Sequence, residues 1–74
     1  MAKKDSALVR LGANLRKARE QCGWSQEELA FRCGVHRTYV GGVERGEYNV
    51  TVLTLRKFTK TLGVSLETAL RGLG

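Results

Sequence analysis

Leu8, Leu11, Leu15, Ala18 and Cys22 recur at alternating spacings of three and four, which predicts one apolar stripe on a helix over residues 7–22. Ser6 is available as its N-cap and Gly23 as its terminator. The charged residues Arg10, Arg16, Lys17, Arg19 and Glu20 fall largely outside the stripe, and most of them read as a solvated face. A second helix opens with Ser25 and Glu28 as a capping box and with Trp24 and Leu29 as a hydrophobic staple. It runs to about Cys33, where Gly34 can supply a left-handed turn. A third helix follows from His36 to about Arg45. A fourth spans about Val52–Leu62, with Val52, Leu55, Phe58 and Leu62 facing inward and Gly63 ending it. Ser65 caps a last short helix whose apolar residues are Leu66, Ala69, Leu70 and Leu73. No segment alternates convincingly with period two, so the expected fold class is all-α: one compact five-helix domain over residues 1–74. Within it, residues 1–5 read as a flexible basic arm and residues 65–73 as a dimerisation helix.

The third helix is the odd one. Val35, Val40 and Val43 are the only aliphatic residues between positions 34 and 46, while His36, Arg37, Thr38 and Tyr39 crowd its start. Gly41 and Gly42 then occupy helical positions at a cost of about 1 kcal/mol each relative to alanine. Ala30 lies four residues before Gly34, and Val40 six after it. Two helices crossing tightly need this arrangement: a small residue for close approach, a glycine for the turn, and a valine packed in the angle. These are the requirements of a helix-turn-helix, although an αα-hairpin in another bundle uses similar residues.

Composition narrows the picture. Seventy-four residues make one small domain, which buries only about 60% of its unfolded surface, so a partner subunit would help. Proline is absent and 42% of residues are apolar, unlike a disordered tail. No run approaches the roughly 18 apolar residues of a membrane span, and MAKKDSALVRLG lacks a signal-peptide core; a cytoplasmic protein with no membrane partner is expected. Cys22 and Cys33 fit that compartment as free thiols. With His36 they leave a structural zinc one ligand short, so no metal or other cofactor is expected. One histidine, no nucleophile beside a base and no glycine-rich phosphate loop argue against an enzyme. Thirteen Lys and Arg against seven Asp and Glu give a net charge of +6, the footprint of a nucleic-acid partner and also of some membrane-surface proteins.

The tract WSQEELAFRCGVHRTYVGGVERG resembles the helix-turn-helix of the lambda-repressor and Cro-like family, and EYNVTVLTLRKFTKTLGVSLETAL is similar to that family's fourth and fifth helices. Within the family, HRTYVGGVERGEYNVTVLTL most resembles the controller proteins of bacterial restriction–modification systems. The resemblance implies a third helix lying in the DNA major groove, with Arg37 and Thr38 reading base edges. Arg37 suits guanine O6 and N7 in a bidentate contact worth about 1–3 kcal/mol of discrimination, the alternative being a phosphate clamp. Tyr39 either touches the sugar-phosphate edge or closes the hydrophobic core, and His36 caps the helix. Gln26, Arg45, Tyr48, Asn49 and Thr51 are the implied contacts to the DNA backbone. Glu44 matches the family's interior glutamate and is expected to pair with Arg19. Gly42 departs from the pattern, since many relatives carry a polar base-reading side chain there.

The same resemblance implies a homodimer on a palindromic operator, with Leu66, Leu70 and Leu73 at the interface; Leu66 and Leu70 otherwise complete the monomer core. No length is left for a ligand-binding domain, so no small-molecule ligand is expected. Activation would require contact with RNA polymerase through an acidic surface, for which Glu27, Glu28 and Glu47 are nearest. Glu28 already caps, and Glu27 is read first as a residue that stabilises the helix dipole. The competing functions are a phage-type repressor, an antitoxin, or a helical protein-interaction module.

Overall fold

The structure, a computed structural model, describes residues 5–73. These form five helices: α1 (Ser6–Gln21), α2 (Gln26–Cys33), α3 (Arg37–Glu44), α4 (Val52–Leu62) and α5 (Leu66–Ala69). No strand occurs among the described residues, and none of the described helices is long and apolar enough to cross a membrane. Four residues of the expected basic arm, 1–4, lie outside the described residues.

Helix starts follow side-chain oxygens and nitrogens that accept from orphan backbone N–H groups. Ser25 Oγ accepts from Glu28 N at 3.0 Å, Thr51 Oγ1 from Thr54 N at 3.1 Å, and Ser65 Oγ from Thr68 N at 3.0 Å. At α1 the cap is Asp5, whose Oδ1 accepts from Ala7 N at 2.8 Å; the expected cap, Ser6, is instead the first helical residue. Two cap-competent residues stand side by side there, and the one with extended backbone does the capping.

The core is a single cluster drawn from all five helices: Leu11, Leu15 and Ala18 of α1, Leu29, Ala30 and Cys33 of α2, Val40 and Val43 of α3, Leu55, Phe58 and Leu62 of α4, and Ala69 of α5. Phe58 is fully buried, and truncating it to alanine would cost about 3–5 kcal/mol. Val52 differs from expectation. It is 71% exposed, because it is the first residue of α4, one turn short of the first core position.

Helix α3 packs against α1 and α2, α4 packs on the same two, and α5 rests on α1 and α4. The α1–α3 contact is close enough that a Cβ at Gly12 would collide with the backbone carbonyls of Val43 and Glu44. Helix α5 is held partly by polar groups: Asn14 Nδ2 donates to the carbonyls of Ala69 and Arg71, at 2.8 Å each.

Candidate nucleic-acid interface

The turn between α2 and α3 is built from three residues. Gly34 adopts φ 70°, ψ 33°, which a residue with a Cβ rarely takes, and Val35 N returns to Ala30 O at 3.0 Å. Ala30 and Val40 are buried at the crossing. His36 then caps α3, its Nδ1 accepting from Thr38 N at 3.2 Å. This anchored crossing fixes the direction in which the first turn of α3 projects.

That turn opens onto a cleft of about 650 Å³ bordered by Gln26 and Glu27 of α2, by Arg37, Thr38 and Gly41 of α3, and by Arg45. Four of the residues expected to touch DNA therefore converge: Gln26, Arg37, Thr38 and Arg45. The N-terminus of α2 borders the same cleft, and its free N–H groups favour an anion. Both exposed arginines of the cleft meet a carboxylate. Arg37 Nη1 lies 3.8 Å from Glu27 Oε2, with both side chains well exposed. Arg45 donates Nε and Nη2 to the two oxygens of Glu47 at 2.9 and 3.1 Å. The hydrogen bond to Glu47 also raises the Arg45 pKa above its ordinary value.

Beneath the cleft sits a buried polar cluster. Arg19 donates Nε and Nη2 to the Glu44 carboxylate at 2.7 and 3.0 Å and Nη1 to Trp24 O at 2.7 Å. The bond to Glu44 raises the Arg19 pKa, against a desolvation that lowers it. Gln26 Nε2 adds a third donor to Glu44 at 3.0 Å. A carboxylate this buried needs such partners, since an unpaired charge in the interior is costly. Gln26 thus joins the cleft to the Arg19–Glu44 pair, a link that residue spacing did not reveal.

Tyr39 and Tyr48 lie together, outside the group that borders the cleft. Their rings stack at 5.2 Å between centroids, and Tyr39 meets Phe58 edge-on at 6.2 Å. Tyr39 is packed on the core at its ring. The stack also explains Gly42: a Cβ at that position would run into the Tyr48 ring. The side chain missing from α3 is replaced by an aromatic ring from the following loop. Asn49 and Thr51 are exposed, Thr51 serving as the α4 cap. At the other end of the chain, Leu66 and Leu70 are 36% and 42% exposed, whereas Leu73 packs partly against the core.

A sequence model of the helix-turn-helix family matches residues 15–68. A hypothetical transcription factor from Neisseria meningitidis is 47% identical over 55 residues, which are 74% of this chain and 52% of that protein, so the match spans about half of the relative's length. The crystal structure of the restriction–modification controller protein C.AhdI from Aeromonas hydrophila superposes with a TM-score of 0.84 at 42% identity, over 88% of this chain and 98% of that one. The controller C.Esp1396I, solved as a tetramer on its natural 35-base-pair operator, gives a TM-score of 0.81 at 32% identity, over 93% of this chain and 91% of that one. A turn fixed by Gly34, a recognition helix with an exposed polar start and these likenesses lead to one conclusion: the chain belongs to the helix-turn-helix family of transcription regulators.

Proposed function

We propose that this chain is a cytoplasmic, homodimeric controller of a restriction–modification system that binds a palindromic operator in duplex DNA. The observation that carries the reading is the cleft in which Arg37 and Thr38 of α3 stand beside Gln26 and Arg45. Base-edge donors and backbone donors converge there beside α3, and a major groove admits one helix. Arg37 and Thr38 read bases; Gln26, Arg45, Asn49 and the Tyr48 loop set the register on phosphates. Tyr39 contributes through the Tyr48 stack, its ring being held against Phe58.

The exposed Leu66 and Leu70 on α5 suit a two-fold contact with a second copy. In such a dimer the two recognition helices sit about one helical turn of DNA apart, roughly 34 Å. The test is binding of a duplex enriched from a random library by the protein itself, measured across a salt series. A steep loss of affinity with salt is expected; flat or absent binding would favour a protein-interaction module. The double substitution Leu66→Ser with Leu70→Ser is expected to give a folded monomer by sedimentation, with weakened binding to the enriched palindrome. A variant that stays dimeric would place the interface elsewhere.

A further inference from the structure

The two exposed arginines of the cleft are held by their carboxylates in opposite ways. Glu27 stands 3.8 Å from Nη1 of Arg37, an ion-pair contact longer than a hydrogen bond, which leaves the Nε–Nη2 edge for a planar pair of acceptors such as guanine O6 and N7. Glu47 takes the Nε and Nη2 donors of Arg45 itself. What remains of Arg45 is one N–H of Nη2 and the two of Nη1, which lies 3.0 Å from where a Cβ of Gly41 would stand. The edge that Arg37 keeps open is thus closed on Arg45, and the Nη groups left over still suit a phosphate.

We propose that Glu27 and Glu47 divide the labour between these arginines: Glu27 is a positioning residue that holds Arg37 at the base edge, and Glu47 confines Arg45 to the backbone. The proposal rests on the DNA-reading function and deepens it. On a non-cognate duplex the acceptors in reach are mainly phosphates, and Arg37 reaches them only by leaving Glu27. On the cognate site Arg37 keeps Glu27 at Nη1 while its other edge reads guanine. Glu27 therefore favours the cognate complex over the non-cognate one. Glu47 acts alike on both, because Arg45 meets a phosphate in either.

The test compares Glu27→Gln and Glu47→Gln on the enriched duplex and on a scrambled duplex of equal composition at one ionic strength. Glu20→Gln is the reference for the loss of one negative charge, since Glu20 pairs with Arg16 on α1 at 3.2 Å and does not itself border the cleft. Glu27→Gln is expected to tighten the scrambled duplex and weaken the enriched one, each by about two- to fivefold, the range of an exposed ion pair. Glu47→Gln is expected to tighten both by a similar factor. In an Arg37→Ala background, Glu27→Gln should leave the ratio of the two affinities unchanged. If Glu27→Gln shifts both duplexes equally, as Glu20→Gln does, or still alters the ratio without Arg37, the proposal is overturned while DNA reading stands. If the unmodified chain enriches no sequence, both fall together.

Discussion

The two halves of α3 differ sharply in burial. In the first turn, Arg37 and Thr38 are exposed and border an open cleft. In the second, every residue from Val40 to Glu44 is buried, including a carboxylate and two glycines. Eight residues thus hold an exposed end, the proposed reading end, and an anchored end. The lesson is that precision at the exposed end is supplied by what is buried at the other. Thr38 and Arg37 have few neighbours of their own; their placement is inherited from Val40, Val43 and the Arg19–Glu44 pair. Preorganised side chains at a binding surface need this kind of support behind them.

The largest effect is expected from breaking the anchored end. Glu44→Ala leaves Arg19 buried without its carboxylate and Gln26 without its acceptor. Such a loss costs about 3–5 kcal/mol, a large share of the stability of a domain this small. Urea unfolding should show the midpoint falling steeply or the protein unfolded without denaturant. A shift of a few tenths of a kcal/mol would mean that Arg19 and Glu44 do not anchor the helix.

The reading end should behave in the opposite manner. Arg37→Ala is expected to leave the urea midpoint nearly unchanged, because its side chain is 69% exposed and its ion pair with Glu27 is exposed as well. Binding to the enriched duplex should nonetheless fall by about 1–3 kcal/mol, with preference relaxed at one base pair per half-site. Gln26→Ala should instead weaken cognate and scrambled duplexes by similar factors, since a phosphate contact carries no sequence information. Equal losses on both duplexes for Arg37→Ala would make it the phosphate clamp and leave the reading end without its reader.

Gly42 lies on the boundary, and two effects nearly cancel there. Alanine is the better helix former by about 1 kcal/mol. Its Cβ would displace the Tyr48 ring and break an aromatic pair worth about 0.5–1.5 kcal/mol. Gly42→Ala should therefore change stability by less than about 1 kcal/mol while releasing the loop around Tyr48. Weaker DNA binding at nearly constant melting temperature is the expected signature. A variant with unchanged binding would show that the stack plays no part in presenting that loop.

Much of this was legible in the sequence where one physical requirement acts locally. The bounds of α4, the caps Ser25, His36 and Ser65, the turn at Gly34 and the crossing of Ala30 with Val40 all depend on neighbours within a few residues. The pairing of Arg19 with Glu44 came from family resemblance rather than from spacing. What escaped notice needed the chain to fold first. Val52 has the spacing of a core residue and lacks only a core opposite it. Gly42 looks like a missing reader until Tyr48 is seen over it. The partners of Arg37 and Arg45 are chosen by the approach of α2 to α3 and by the bend after α3.

Asn14 separates two tasks that a helix of four residues would otherwise have to combine. Its amide fastens the end of α5 to α1 through the Ala69 and Arg71 carbonyls and Ala69 is buried in the core, so attachment does not rest on Leu66 and Leu70 alone. Those two leucines are consequently at liberty to vary. If the proposed dimer forms through them, sister regulators sharing one cell can diverge at these outward faces, each recruiting its own kind and refusing the other, while the scaffold beneath stays untouched.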